Sequence, residues 1–175
     1  MYHSRASTPP CSYVGRGLAA WHMLDVSDKQ ERLTMKSYRA TTTIHASPET
    51  IWAILADAEG YPKWDLSMER IEGRIALGET VTFHTKLSDK AFPVRVTSFD
   101  APLKMVLTGG LPLGLFKSER THTLTPTAEG HTTVDTHEVF SGLLLPLFGR
   151  SIPDLTENFE GFLAALKAQA EQADS

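Results

Sequence analysis

Three side chains able to do chemistry fall on alternate positions of two neighbouring segments: Arg120 and His122 in residues 116–124, and Glu138 in residues 132–140. Alternate residues of a β-strand point to one face. A hairpin closed by residues 126–130, with Leu124 opposite Thr132, sets His122 against Val134, Arg120 against Thr136 and Ser118 against Glu138. Arg120 and Glu138 are then diagonal neighbours within reach of each other. The companion face, which includes Lys117, Glu119, Asp135 and His137, is the more hydrophilic, so Arg120, His122 and Glu138 are expected to face inward. A one-residue slip would reverse every assignment. Buried charge is costly unless paired. Two accounts stay open: a satisfied Arg120–Glu138 pair near the sheet edge, reached by water, or three groups that line a cavity and orient the polar end of an apolar ligand.

Other chemistries find little support. The seven histidines are scattered, and His122 and His137 point to opposite faces, so no metal site is expected. Cys11 is the single cysteine, which excludes a disulfide within the chain and fits a reducing, cytoplasmic compartment. Gly109, Gly110 and Gly114 lack the lysine spacing of a phosphate loop, and no cofactor is expected. The 175 residues are 41% hydrophobic and 22% charged, which suits one ordinary soluble domain. Lys plus Arg is 17 against 21 for Asp plus Glu, without a basic cluster, so nucleic acid is not an expected partner. No apolar run approaches the ~18 residues of a membrane span.

The elements that position these groups follow from periodicity. Strands are expected at residues 38–45, 66–75, 79–87, 92–99, 103–108, 116–124 and 132–140, separated by turn residues such as Ser88-Asp89-Lys90 and Asp100-Ala101-Pro102. Ser47 as N-cap and Pro48 as first residue open a short helix whose apolar face is Ile51, Trp52, Ile54, Leu55 and Ala58. Residues 151–170 carry apolar residues at Ile152, Leu155, Phe159, Phe162, Leu163, Leu166 and Ala170, the period of a long helix with one buried stripe. Ser151 and Asp154 read as its capping box. Gly161 inside it either leaves cavity volume or lets the sheet approach; the second is the expectation. Residues 1–34 lack a sustained period and are expected to form a disordered or loosely docked tail, with Met35 as the natural start.

Ile44, Ala46, Pro48, Trp52, Leu55 and Asp57, followed by Tyr61, Pro62 and Trp64, make a pattern that resembles the START-like, or Bet v 1-like (SRPBCC), superfamily, and within it the polyketide cyclase/dehydrase and lipid-transport group. The resemblance covers roughly residues 36–171. It implies an α+β helix-grip fold: a curved antiparallel sheet wrapped round a long C-terminal helix, with an internal cavity, in a ligand-binding domain of residues 35–172. The expected function is binding or transport of a small apolar or amphipathic ligand by a monomer or homodimer. The alternatives are a cyclase- or dehydratase-like enzyme, with His122 as acid/base, Arg120 polarising a carbonyl and Glu138 orienting one of them, and a protein-interaction module. Trp64, Phe83, Met105, Arg120, His122, Glu138, Phe140, Phe159 and Leu163 are the expected ligand-binding residues.

Residues 110–116 and 142–148 are both rich in Leu, Pro and Gly, and the expected register brings them to one end of the sheet. They either bury against each other as a cap, or form a mobile apolar mouth that admits ligand and touches a membrane transiently. On the second account Gly110, Gly114, Gly142 and Gly149 are hinges, and Leu113→Asp and Leu145→Asp slow uptake without unfolding the domain.

Overall fold

The structure is a computed structural model and describes residues 35–174 apart from 87, 150 and 151; the expected tail lies outside these residues. In chain order the elements are β1 (Met35–Ile44), α1 (Pro48–Ala56), α2 (Tyr61–Trp64), β2 (Met68–Glu72), β3 (Thr80–Thr85), β4 (Ser88–Asp100), β5 (Lys104–Leu111), a 3-10 turn (Pro112–Gly114), β6 (Phe116–Pro126), β7 (Thr132–Ser141), α3 (Leu145–Phe148) and α4 (Thr156–Ala173). The strands form one antiparallel sheet in the order β1-β7-β6-β5-β4-β3-β2. Irregular pairing at Met68/Arg70, Phe83/Thr85 and Val96/Ser98 marks places where bulges bend such a sheet. The sheet curves round α4, and the fold is α+β of the helix-grip type.

Each expected strand is present, with shifted ends. The strand expected at 66–75 is paired only over Met68–Glu72. β4 begins at Ser88, opposite Thr85, so Ser88-Asp89-Lys90 belongs to the strand and not to the turn. β7 alternates without exception, Thr132, Val134, Thr136, Glu138 and Phe140 being buried and their neighbours half-buried. That is the signature of a strand with one covered face.

The register of the last hairpin differs from the expectation. Leu124 stands opposite Val134, and Thr132 opposite Pro126. The loop is tighter because Thr127 closes it: its N–H donates to the His131 carbonyl at 2.8 Å, and its Oγ1 accepts from the His131 N–H at 3.3 Å. The shift is two residues, an even number, so every side chain keeps its expected face.

α1 begins as its sequence demands, with Ser47 Oγ accepting from the Thr50 N–H at 3.1 Å and Pro48 in the first turn. It buries Ile51, Trp52 and Leu55, each worth about 1.5–3 kcal/mol of transfer free energy. α4 buries Phe159, Leu163, Leu166 and Ala170. It starts at Thr156, five residues later than expected. Asp154 Oδ1 accepts the Thr156 N–H at 2.9 Å, although the N-cap position is Leu155, and the carbonyls before it are engaged elsewhere. Lys36 Nζ donates to the Gly149 and Ile152 carbonyls, and Tyr38 Oη to that of Pro153. Pro153 also disfavours helical backbone at Ile152. Gly161 is exposed, and an added Cβ would meet nothing within 4 Å, so it neither hollows the core nor admits the sheet.

Candidate functional site

The register places Arg120 directly opposite Glu138, and His122 opposite Thr136, on the concave face. Arg120 Nε and Nη2 donate to Glu138 Oε2 at 2.9 and 2.6 Å, and Ser118 Oγ donates to Oε1 of the same carboxylate. Both carboxylate oxygens are therefore occupied. Glu138 is 5% exposed, whereas the Arg120 side chain keeps 33% exposure, so the pair is open to one side. Such pairing is what a buried carboxylate requires. The Arg120 guanidinium also lies 4.9 Å from the centre of the Phe159 ring, a cation–π contact supplied by α4.

His122 is buried, and its Nδ1 is 3.0 Å from Thr136 Oγ1. Burial, with the Arg120 charge adding to it, lowers its pKa to about 3, so the ring is neutral at pH 7. A neutral imidazole this weakly basic donates or accepts a hydrogen bond and is a poor proton acceptor. Above it lies Phe162 at 5.6 Å, and Trp64 of α2 is 5.4 Å from Phe162. Trp64 is buried, and its indole N–H has no hydrogen-bond partner among the described residues. Tyr61 packs on Trp64 and donates its phenol to the Leu55 carbonyl at 3.1 Å. Burial pushes that phenol well above its usual pKa, offset by Arg120.

Of the nine expected residues, seven gather here. Arg120, His122 and Glu138 form the polar floor; Met105 pairs with His122 in the sheet; Phe159 and Trp64 cover them; Phe140 lies 6.0 Å from Phe116 at the open side. Phe83 is two strands away from this group's nearest strand, half-buried on β3 opposite Phe92. Leu163 belongs to the buried stripe of α4 and also lines a groove along β1. Phe162 and Tyr61 are additions. Phe162 sits three residues after Phe159, which was the available signal; Tyr61 stood in the pattern from Ile44 to Trp64 as a mark of the fold, without a sign that it packs on Trp64.

Two hollows lie away from Arg120 and His122. One, about 430 Å³, is an open groove between β1 and α4, where Arg39, Thr41, Glu160 and Lys167 meet. The other, about 150 Å³, lies between Asp57, Lys63 and Gln169 beside Trp64. The concave face is instead graded. It is fully buried at Met105, Leu124 and Val134, and half-exposed at Phe83, Val94 and Phe116. Among the described residues no group of His, Cys, Asp and Glu is placed to hold a metal ion.

Residues 35–171 match the model of a family described as polyketide cyclase / dehydrase and lipid transport. The chain belongs to that family. No curated protein matches it. Solved structures show the same fold at low identity. A Mesorhizobium loti protein, MLL2253, is 19% identical with a TM-score of 0.64, over 80% of this chain and 100% of its own. A START superfamily protein from Mycobacterium smegmatis is 18% identical with a TM-score of 0.57, over 80% and 99%. The Zhui aromatase/cyclase from Streptomyces sp. R1128 is 17% identical with a TM-score of 0.64, over 79% and 94%. This family member therefore carries the START-like, SRPBCC architecture.

Proposed function

We propose that the domain binds a small apolar or amphipathic ligand between the concave face and α4. Its polar end meets Arg120, His122 and the Trp64 indole, and its apolar part lies along Phe83, Phe116, Phe140 and Phe159. The observation that carries this reading is the gradient of exposure on one face. Apolar side chains that should be covered stay half-exposed and lead to an arginine that is itself one-third exposed. Leaving aromatic surface open beside a satisfied ion pair costs stability unless something occupies it. The buried Trp64 Nε1 has no partner among the described residues and offers the ligand a hydrogen bond. With Arg120 neutralised by Glu138, the site suits an uncharged polar group better than an anion. All of these groups come from one chain, so one copy suffices.

Native mass spectrometry of the full chain, with titration of the neutral apolar probe N-phenyl-1-naphthylamine, tests it. The expected result is a retained small molecule or saturable one-to-one probe binding; neither appearing would overturn the reading. Cyclase- or dehydratase-like turnover is the second reading, motivated by the family description and by Arg120 standing beside His122. The weak basicity of His122 counts against it. It requires His122→Ala to lower turnover of a poly-carbonyl substrate by about a hundredfold or more.

A further inference from the structure

Soluble domains scatter their few exposed leucines, whereas here they collect. The registers define one end of the sheet by the β3–β4 turn, the β5–β6 connection, the end of β7 and the start of β1. Among the described residues nine large apolar side chains are exposed, and only Leu77 and Leu103 lie at the other end. The centre of the group is four leucines: Leu111 at 48%, Leu113 at 94%, Leu143 at 76% and Leu147 at 71% exposure. They sit on two connections that are fastened together. The Leu144 N–H donates to the Leu115 carbonyl at 2.8 Å, and Gly142, at φ +121°, comes so close that a Cβ there would stand 2.6 Å from the same oxygen. Gly110, at φ +138°, fits against the Phe116 backbone in the same way. These two glycines are explained by close approach, not by hinge freedom. Leu113 holds φ +60°, a left-handed conformation that leucine adopts at a cost of about 1 kcal/mol or more. An apolar side chain is thus held fully in water on a strained backbone at the tip of a braced loop.

We propose that this rim inserts into the surface of a lipid bilayer. The occupant follows from shape, continuity and size. The four leucines sit on the end of β5, the 3-10 turn, the β7–α3 connection and α3, and four side chains are far fewer than the roughly 20–30 residues a side of a standard protein interface. Projecting apolar tips suit the acyl boundary of a membrane, where each buried side chain contributes independently. The rim is also continuous with the concave face: Phe83 pairs with Phe92 and Leu111 with Phe116 in the sheet, and all four remain partly exposed. An apolar molecule leaving a bilayer would meet these side chains first. Lys117 is paired with Glu119, and the β3–β4 turn adds exposed Lys86 and Lys90 beside Asp89, so in a chain of net charge −4 attachment rests chiefly on apolar insertion. Leu145 is not part of the rim. It is 3% exposed and packs in the core, so of the two leucines expected to gate ligand only Leu113 is placed to do so.

The inference goes beyond the ligand reading and needs no ligand. Its test is flotation of the full chain with vesicles of phosphatidylcholine alone and of phosphatidylcholine with phosphatidylglycerol, at low and high salt. The variant is Leu113→Asn with Leu143→Asn. Asparagine tolerates the left-handed backbone at position 113, so the fold is retained, and the melting temperature verifies it. The expected result is binding to both vesicle types, insensitive to salt, and reduced about tenfold or more in the variant. The proposal is overturned if the parent chain does not float, if the folded variant floats equally, or if binding needs anionic lipid and vanishes with salt. It is also overturned if sedimentation velocity shows a dimer that the variant dissolves while neither form floats. The rim would then be an interface between copies.

Discussion

His122 is neutral in the folded domain because its ring is buried beside the Arg120 guanidinium. Its folded pKa, about 3, lies below the 6.5 of an exposed histidine, so below pH 6.5 the unfolded chain takes up a proton that the folded one refuses. Stability therefore falls as pH drops from 6.5 towards 3. Between pH 7 and 5 the histidine should account for about 2 kcal/mol of that loss. Urea midpoints at the two pH values, for the parent and for His122→Gln, isolate it; equal pH dependence in both would contradict the assigned burial. Arg120→Met makes the complementary point. It strips the buried Glu138 carboxylate of its cation and should cost on the order of 2–3 kcal/mol, whereas Arg120→Met with Glu138→Leu should recover most of it. Chemical denaturation of both variants checks this. At this scale the sequence was informative because a strand's period is two. The hairpin pairs two residues away from the expected register, yet Arg120, His122 and Glu138 keep their face, and the expected diagonal contact becomes a direct one.

Among elements, α4 shows what periodicity can and cannot give. Its stripe of Phe159, Leu163, Leu166 and Ala170 follows from spacing alone. Its start does not, because Lys36 and Tyr38, over a hundred residues away in sequence, hold the carbonyls of Ile152 and Pro153. Local capping signals carry no information about such distant donors. Gly161 lies on the exposed side of this helix with open space where a side chain would go. Gly161→Ala should therefore stabilise the domain by about 1 kcal/mol, read as a higher denaturation midpoint with unchanged slope. The two apolar connections behave differently from each other's expectation. Leu145→Asp places a charge in the core and should destabilise by about 3 kcal/mol or more, in contrast to Leu113→Asn, whose melting temperature should match or exceed the parent's.

For the whole molecule, the signature from Ile44 to Trp64 was enough for the fold, and the sheet order, the long helix and the family all agree with it. The shape of the interior was not legible. Whether Phe159, Phe162 and Trp64 fill the space over His122 or leave it open depends on how three separate elements approach one another, and no periodicity encodes that. Apolar exposure on the concave face rises towards Phe83 and Phe116, which describes an open-sided cleft. No described helix is long and apolar enough to cross a membrane.

That the cleft is a ligand site is the central claim, and one titration tests it most directly. N-phenyl-1-naphthylamine fluorescence is followed against the full chain and against Phe83→Ser with Phe116→Ser, two half-exposed positions whose truncation leaves the buried core in place. Saturable one-to-one binding by the parent, weakened about tenfold or more in the folded double variant, is the predicted result. Equal binding by both chains, or none by the parent, would contradict it.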